Sequence, residues 1–365
     1  MPPGPLPSAS DGLELVKSSV RRLTAYSLSS PSARRKLNQN ESPFDFPADL
    51  KNEVLGRVAV QPWQRYPEFV PRMLQETLAG HYGWVPDGLL VGNGSNELIQ
   101  ATLAVTLGAG DVLVAPSPTF ALYRQLTGVF DGRYVPVPLG PAFAFDVDRL
   151  IDTARRERAR AVVLNSPNNP TGSALPEGAV ERLLEHTGAL IVCDEAYQEF
   201  GGPTAIPLLA RSSRIVVLRT FSKAFGLAGL RFGLALAHPE MVTQIAKGKL
   251  PYNVNVVTLA VAGAALRQSA ALAARLRTIV EVRDQFLEQL SRIRGITAYP
   301  SAANFILIRC EIRPVREVFE RLHREYDILV RDVSAAPELD QCLRISIGTA
   351  EDMDAVAGAL EEIFS

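Results

Sequence analysis

Short apolar runs alternate with longer, helix-like segments through the middle of this chain. The runs, rich in Val, Leu and Ile, lie at residues 89–91, 112–115, 133–137, 161–164, 190–193 and 215–218. Continuous apolar runs of this length are typical of strands that are covered on both faces. Helical patterns lie between them, at residues 95–107, 176–186 and 239–247. The alternation predicts an α/β protein with a mostly parallel sheet and right-handed crossovers.

The pattern changes beyond about residue 255. Residues 259–293 read as one or two long helices rich in Ala, Leu and Arg. Short strands are then expected at 305–307, 328–330 and 343–347, with helices at 315–326 and from 350 onward. These elements predict a smaller C-terminal α/β domain. We therefore expect an N-terminal arm that joins the small domain (1–45), a large domain (46–255) and a small domain (256–365).

Composition excludes several classes of partner. The chain has 365 residues, 47% of them hydrophobic, and a formal net charge of −1, so we expect no nucleic acid and no anionic membrane as partner. No apolar run approaches the length that spans a membrane. The cysteines Cys193, Cys310 and Cys342 are far apart in sequence, without CxxC spacing. We therefore expect no metal site and a cytoplasmic protein.

The most informative segment is residues 220–231, which follow the last apolar run of the series and read Thr-Phe-Ser-Lys-Ala-Phe-Gly-Leu-Ala-Gly-Leu-Arg. Lys223 stands beside the hydroxyl of Ser222 and eight residues before the guanidinium of Arg231. The amine can form an imine with a phosphorylated aldehyde while the other two groups hold the phosphate, which is what pyridoxal phosphate (PLP) requires. A surface lysine on a loop is the alternative, and the preceding buried strand makes it weaker.

Two further segments follow predicted strands and suit the same cofactor. Asp194 ends the apolar run at 190–193, where a carboxylate needs a partner such as a protonated pyridine nitrogen. Tyr197 and Asn169 are each able to reach the 3-oxygen of the same ring. A helix cap for Asp194 and a simple turn around Asn169 remain open as alternatives.

The segment 92–97, Gly-Asn-Gly-Ser-Asn-Glu, can bind phosphate through a helix N-terminus that Ser95 is expected to cap, although a plain capped helix is the simpler interpretation. Phe120 follows another strand and can stack on a planar ring. Tyr66 and Tyr26 lie in loop-like segments, where packing is the simpler role. Arg344 lies in the strand expected at 343–347 and is either solvated or a bidentate clamp for a carboxylate.

Together these segments resemble the PLP enzymes of the aspartate-aminotransferase fold, fold type I, and among them the histidinol-phosphate aminotransferases. The resemblance runs from about residue 15 to the C-terminus. Besides the Lys223 segment it rests on residues 37–43, 65–67, 251–255, 303–307 and 343–349. The family more often has Tyr where Phe120 stands and Asp where Asn96 stands. The resemblance implies a large domain with a mostly parallel sheet and a smaller C-terminal α/β domain.

The resemblance also implies a function: transamination between histidinol phosphate and 2-oxoglutarate in histidine biosynthesis, by a homodimer with shared active sites. Lys223 would be the Schiff-base lysine, Asp194 the partner of the ring nitrogen, and Phe120 the stacking ring. The 3-oxygen would be bound by Asn169 and Tyr197. The phosphate would be held by Ser95, Asn96, Ser222, Arg231 and, from the other subunit, Tyr66. The residues facing substrate would be Tyr26, Asn40, Asn304, Arg331 and Arg344.

Other functions stay open at this point. Threonine-phosphate decarboxylases and broad aromatic-amino-acid aminotransferases use very similar sites. A binding protein that kept the fold and lost activity is disfavoured, because Lys223, Asp194 and Arg231 occur together. A nucleotide-binding dehydrogenase and a serine hydrolase are weaker still, because no GxGxxG follows the first predicted strand and no GxSxG is present.

Overall fold

The computed structural model describes residues 10–25 and 31–365. Over these residues the strands are β1 (Arg35–Lys36), β2 (Leu89–Asn93), β3 (Val112–Ser117), β4 (Arg133–Pro138), β5 (Ala161–Asn165), β6 (Leu190–Asp194), β7 (Ile215–Thr220), β8 (Phe232–Ala237), β9 (Ile296–Ala298), β10 (Phe305–Cys310), β11 (Ile328–Leu329), β12 (Arg331–Asp332) and β13 (Cys342–Ser346). The α-helices are α1 (Ser10–Glu14), α2 (Ser18–Arg21), α3 (Ala48–Ala59), α4 (Arg72–Tyr82), α5 (Ser95–Thr106), α6 (Leu122–Val129), α7 (Val147–Arg156), α8 (Ala179–His186), α9 (Pro239–Ala246), α10 (Val256–Leu266), α11 (Ser269–Ser291), α12 (Val315–Tyr326) and α13 (Ala350–Phe364).

The central sheet has the strand order β2-β8-β7-β6-β5-β3-β4. Strand β8 runs antiparallel to both of its neighbours, and the other neighbouring pairs are parallel. The mostly parallel sheet expected from the sequence is therefore confirmed. Each strand predicted for this sheet is present and continues one or two residues further, because backbone pairing persists where the side chains turn polar, as at Asn165 and Asp194.

The apolar pattern did not predict β8, which contains Gly233 between apolar neighbours. A Cβ atom added at Gly233 would lie 2.3 Å from the backbone nitrogen of Ser95. Since real Cβ atoms do not approach other atoms so closely, only glycine lets β8 pass directly beside the first residue of α5. In the sequence Gly233 suggests a loop, but in the structure it is required for the close packing of β8 against α5.

A second, antiparallel sheet has the order β12-β13-β10-β9, and a short parallel pair joins β1 to β11. Helices α11 and α12 pack beside these strands, and α13 packs against both helices. Through β1 and β11 the segment that enters α3 is tied to the C-terminal part of the chain. The division into an arm, a large domain and a small domain stays a prediction.

The core is buried on both faces of the central sheet. Within β6, Ile191 and Cys193 belong to one hydrophobic cluster, while Leu190 and Val192 belong to a second cluster on the opposite face. The first cluster also takes in residues of the C-terminal sheet, so the two sheets share one continuous apolar core. This explains why the strands read as unbroken apolar runs instead of alternating ones.

Helices α10 and α11 occupy the region predicted to hold one or two long helices. In the part of the chain that the structure describes, no single helix is both long and apolar enough to cross a membrane. These two helices meet the length and composition criteria only as a pair, which is bent by 83°. Much of α10, including Val261 and Ala262, is buried in the first cluster.

Candidate active site

A cavity of about 640 Å³ opens beyond the carboxyl ends of β5, β6 and β7, the position at which ligands bind in open α/β sheets. Its wall brings together most of the side chains predicted from the sequence: Asn40, Ser95, Asn96, Phe120, Asn169, Asp194, Tyr197, Ser222, Lys223, Arg231, Arg331 and Arg344. Asn169, Asp194 and Lys223 converge because they lie at or just after strands whose carboxyl ends meet at the same edge of the central sheet, whereas Arg331 and Arg344 come from β12 and β13 of the second sheet.

Lys223 lies three residues after β7 and reaches into this cavity. Its Nζ donates a hydrogen bond of 2.8 Å to the backbone oxygen of Gln39 and lies 5.7 Å from the centre of the Tyr197 ring. Burial, together with the positive charges of Arg344 and Arg231, lowers the pKa of Lys223 to about 7. A lysine amine with a pKa near 7 has a substantial neutral fraction at neutral pH, and the neutral amine is a competent nucleophile and proton acceptor.

Asp194, the last residue of β6, is only 3% exposed. Its Oδ2 accepts a hydrogen bond of 2.5 Å from the hydroxyl of Tyr123, and its Oδ1 accepts one of 3.2 Å from the backbone N–H of Ala196. Burial raises the pKa of Asp194 to about 6, while these two hydrogen bonds act in the opposite direction. Sequence analysis did not identify Tyr123, because only the fold brings its hydroxyl from α6 to the end of β6.

Tyr197 and Asn169 both line the cavity and meet through a hydrogen bond. The Tyr197 hydroxyl accepts hydrogen bonds from Nδ2 of Asn40 at 3.0 Å and from Nδ2 of Asn169 at 3.4 Å. Nη1 of Arg344 donates a hydrogen bond of 2.5 Å to Oδ1 of Asn169, and its Nη2 donates one of 2.8 Å to the backbone oxygen of Asn38. The amide of Asn169 therefore connects the Tyr197 hydroxyl with a guanidinium on β13.

The segment before α5 and the segment after Lys223 form a cup of hydrogen-bond donors. Ser95 is the first residue of α5, and Arg231 Nη1 donates a hydrogen bond of 3.0 Å to Oγ of Ser222. Gly94 has φ +79°, and a Cβ there would lie 2.5 Å from Nη2 of Arg231. The expected cap at Ser95 is wrong: Gly94 takes the capping position, so that Ser95 can present its own N–H within the first turn.

Asn40 is held from several directions. Its backbone N–H donates a hydrogen bond of 2.8 Å to Oγ of Ser346, which in turn donates one of 3.0 Å to Oδ1 of Asn40. Nδ2 of Asn304 donates a hydrogen bond of 3.1 Å to the Asn40 backbone oxygen. Asn304 is fully buried, so it lies behind Asn40 and not on the cavity wall where substrate contact was expected.

The structure places Arg331 at the cavity and Tyr66 away from it. Arg331, in β12, lines the cavity together with the segment up to Leu339. Tyr66 is 80% exposed, away from the cavity, and stacks on Tyr252 with the ring centres 4.5 Å apart. Tyr26 lies outside the described residues.

A buried group of charges lies behind the carboxyl ends of β6 and β7. Arg219 is 3% exposed, with Nη2 2.6 Å from Oε2 of Glu195 and Nη1 3.0 Å from Oε1 of Glu199. Burial raises the pKa of both carboxyls, and the charge of Arg219 lowers it. Glu195 follows Asp194 directly and Arg219 precedes Lys223 by four residues, so the ion pair joins the two strand ends that carry the central groups of the cavity.

Comparison with known proteins agrees with this geometry. The family model described as "Aminotransferase class I and II" matches residues 35–360. The chain belongs to this family. The aminotransferase is similar to proteins named histidinol-phosphate aminotransferase from Chlorobium phaeobacteroides, at 39% identity over 94% of this chain and 95% of the relative, and from Chlorobaculum parvum, at 36% identity over 93% and 96%.

A solved structure gives the same result for the fold. The histidinol-phosphate aminotransferase from Sinorhizobium meliloti, described in complex with pyridoxal-5'-phosphate, superposes with a TM-score of 0.86. It is 26% identical, and the match covers 96% of this chain and 97% of that one. The predictions of the aspartate-aminotransferase fold, of fold type I and of an aminotransferase are therefore confirmed.

Proposed function

We propose that this aminotransferase uses PLP to transfer an amino group between histidinol phosphate and 2-oxoglutarate in histidine biosynthesis. The names of its relatives support this assignment. The observation that carries it is that one cavity holds a lysine amine with a pKa near 7, a buried carboxylate and two arginines: Lys223, Asp194, Arg344 and Arg331.

The residues present fit PLP. A phosphate group suits the cup formed by the α5 N-terminus, the Ser222 hydroxyl and the Arg231 guanidinium, a donor set with positive charge. The cup exists only because Gly94 and Gly233 lack a Cβ, which would strike Arg231 and Ser95. The buried carboxylate of Asp194 suits a protonated ring nitrogen, since a charge in that position needs a partner.

When bound, PLP supplies an aldehyde that captures amines and a protonated ring that withdraws electrons from the carbon being deprotonated. Lys223 Nζ would take the proton from the amine-bearing carbon of the donor and deliver it to the aldehyde carbon of the cofactor, which its lowered pKa allows near neutral pH. Asp194 would hold the ring nitrogen in its protonated form. Tyr197 Oη and Asn169 Nδ2 would donate to the 3-oxygen, and Phe120 would pack on the ring.

Both proposed substrates carry an oxyanion far from the reacting carbon. Histidinol phosphate has a phosphate group, and 2-oxoglutarate has a second carboxylate. Arg344 and Arg331 both line the cavity and face each other across β13 and β12, and a guanidinium binds either oxyanion through paired N–H donors. We propose that these two arginines and Asn40 let one site accept the two substrates in turn, as a ping-pong reaction requires.

The function is tested with purified, PLP-loaded protein by a coupled assay for glutamate. Histidinol phosphate, phosphothreonine and phenylalanine are compared as amines, each with and without 2-oxoglutarate. We expect glutamate to form fastest with histidinol phosphate, and no carbon dioxide to be released. Carbon dioxide from phosphothreonine without 2-oxoglutarate would instead identify a decarboxylase. Lys223→Ala should abolish turnover, whereas the surface variant Lys51→Ala should retain it.

We also propose a homodimer with shared active sites. Large apolar side chains are exposed together near Tyr66: it is 80% exposed, Phe69 62% and Met73 80%. Tyr252 stacks on Tyr66 and contacts Phe69 edge-on. Exposed apolar groups of this kind mark association surfaces. We assign Tyr66 to the phosphate site of the partner subunit.

Subunit mixing tests the shared site. Lys223→Ala subunits and Tyr66→Ala subunits should each be weakly active or inactive alone. In a mixed dimer, one site combines a native Lys223 with a native Tyr66, so activity should return on mixing. Failure to recover activity in a sample shown by native mass spectrometry to contain mixed dimers would contradict the assignment of Tyr66.

We place the enzyme in the cytoplasm. Its cysteines Cys193, Cys310 and Cys342 are free and buried, which suits a reducing compartment. Fractionation of the source cells with an antibody to this protein tests the location, and recovery in an extracellular or membrane fraction would contradict it.

A further inference from the structure

We propose that Tyr123 is a positioning residue for Asp194: its hydroxyl fixes the orientation of this carboxylate and keeps it ionised for a protonated ring nitrogen. The inference rests on the proposed use of PLP. Two protein donors meet the two carboxylate oxygens, the Tyr123 hydroxyl at 2.5 Å and the Ala196 N–H at 3.2 Å. The carboxylate is therefore oriented by the protein alone.

Tyr123 acts from behind the cavity wall. Asp194 is among the described residues that line the cavity, and Tyr123 is not. The Tyr123 side chain is fully buried in the second hydrophobic cluster and packs edge-on against Phe120, with the ring centres 5.7 Å apart. A ring held in this way has one place for its hydroxyl, so the hydrogen bond to Asp194 does not depend on a bound ligand.

The direction of this hydrogen bond is also fixed. Burial, together with the charge of Asp194, raises the pKa of Tyr123 well above its usual value, so its hydroxyl keeps its proton and donates. An ionised carboxylate can only accept hydrogen bonds. Tyr123 therefore stabilises the ionised form of Asp194, against the burial that favours the neutral form. A neutral Asp194 would offer no charge to a protonated ring nitrogen.

The test compares two ligands of the apoprotein: PLP, and its 1-deaza analogue, in which a carbon atom replaces the ring nitrogen. Dissociation constants are measured for wild type and for Tyr123→Phe, which keeps the buried ring and removes only the hydroxyl. The variant should bind PLP about tenfold more weakly, as expected for loss of a hydrogen bond to a charged group. Its affinity for the deaza analogue should change less than about twofold.

Tyr326→Phe is the matched control, because Tyr326 also donates to a carboxylate, that of Glu362 at 2.9 Å, but between α12 and α13. It should leave both affinities unchanged. If Tyr123→Phe lost affinity equally for PLP and for the deaza analogue, the proposal would be overturned, since this would indicate a packing role. Unchanged affinity for PLP would overturn it as well.

A double-mutant cycle provides a second measurement. In an Asp194→Asn background, Tyr123→Phe should cause no further loss of PLP affinity, because the hydrogen bond has lost its charged acceptor. A further tenfold loss there would contradict the proposal. Failure of the wild-type apoprotein to bind PLP would overturn the proposed function and this inference together, and it is recognisable because wild type fails too.

Discussion

Arg344 donates a hydrogen bond from Nη1 to Oδ1 of Asn169 at 2.5 Å, while Nδ2 of the same amide donates to the Tyr197 hydroxyl at 3.4 Å. The guanidinium thus sets which way the Asn169 amide faces. A residue proposed to bind the substrate oxyanion also orients a residue proposed to bind the cofactor. Substitution of Arg344 should therefore affect both substrate binding and the environment of the cofactor.

Arg344→Lys should lower kcat/KM for 2-oxoglutarate by about 10- to 100-fold, because lysine cannot form the paired hydrogen bonds of a guanidinium. It should also shift the visible absorption of bound PLP, since Asn169 loses a partner. Steady-state kinetics and a spectrum of the same sample check both effects. A change in KM with an unaltered spectrum would separate the two roles.

The rate at which the apoprotein joins PLP covalently should rise with pH through a midpoint near 7 and then level off. Only the neutral amine attacks an aldehyde, and burial lowers the pKa of Lys223 to about 7. An unperturbed lysine would give a midpoint at about pH 10.4. Stopped-flow absorbance after mixing with PLP measures the profile.

The Arg344→Met variant tests why the pKa of Lys223 is low, because the charge of Arg344 contributes to lowering it. Its midpoint should move to higher pH. A midpoint near 10 in the wild type would contradict the assignment of Lys223 as a neutral amine.

Arg219→Met should reduce the free energy of unfolding by about 3–5 kcal/mol, because it leaves the buried carboxylates of Glu195 and Glu199 without their counter-charge. Chemical denaturation of the apoprotein measures the loss. The control is Arg316→Met on α12, whose side chain is 87% exposed and pairs with Glu320 at 3.1 Å. That variant should change stability by less than about 1 kcal/mol, and equal losses would show that Arg219 has no special role.

Gly94→Ala should weaken PLP binding and cost about 1–3 kcal/mol of stability. Gly94 has φ +79° and ψ 162°, a conformation that is essentially restricted to glycine, and the added Cβ would strike Arg231. Gly80→Ala on α4 is the control, since open space surrounds that position, and it should be stabilising by about 0.5–1 kcal/mol. Thermal melts with and without PLP check both variants.

The sequence predicted the part of the site that follows from strand ends. Lys223, Asp194 and Asn169 each follow an apolar run, and parallel strands bring their carboxyl ends together. Tyr123 and Ser346 could not be found in this way, because they are 71 and 306 residues from the side chains they support. Their roles depend on how helices and the second sheet pack, which a local pattern does not encode.

The buried ion pair of Arg219 could have been predicted from the sequence. Arg219 lies inside the apolar strand β7, where a charge needs a buried partner, and Glu195 stands at the end of the adjacent apolar run. The strand β8 left a weaker signal, because its glycine and alanines lack the bulky, branched side chains that mark a strand in sequence. The composition of β8 therefore hid the strand from sequence analysis. Its glycine is there because the backbone at Ser95 leaves no room for a side chain.

The position of β8 has a consequence for synthesis of the chain. Strand β2 forms its ladder with β8, the last strand of that sheet to be made, so a nascent polypeptide on the ribosome carries β2 with an open edge until residues 232–237 have emerged. Unpaired edges invite intermolecular pairing. Fragments that stop short of β8 should therefore be recovered in inclusion bodies or bound to chaperones, while fragments that extend beyond it should escape both fates.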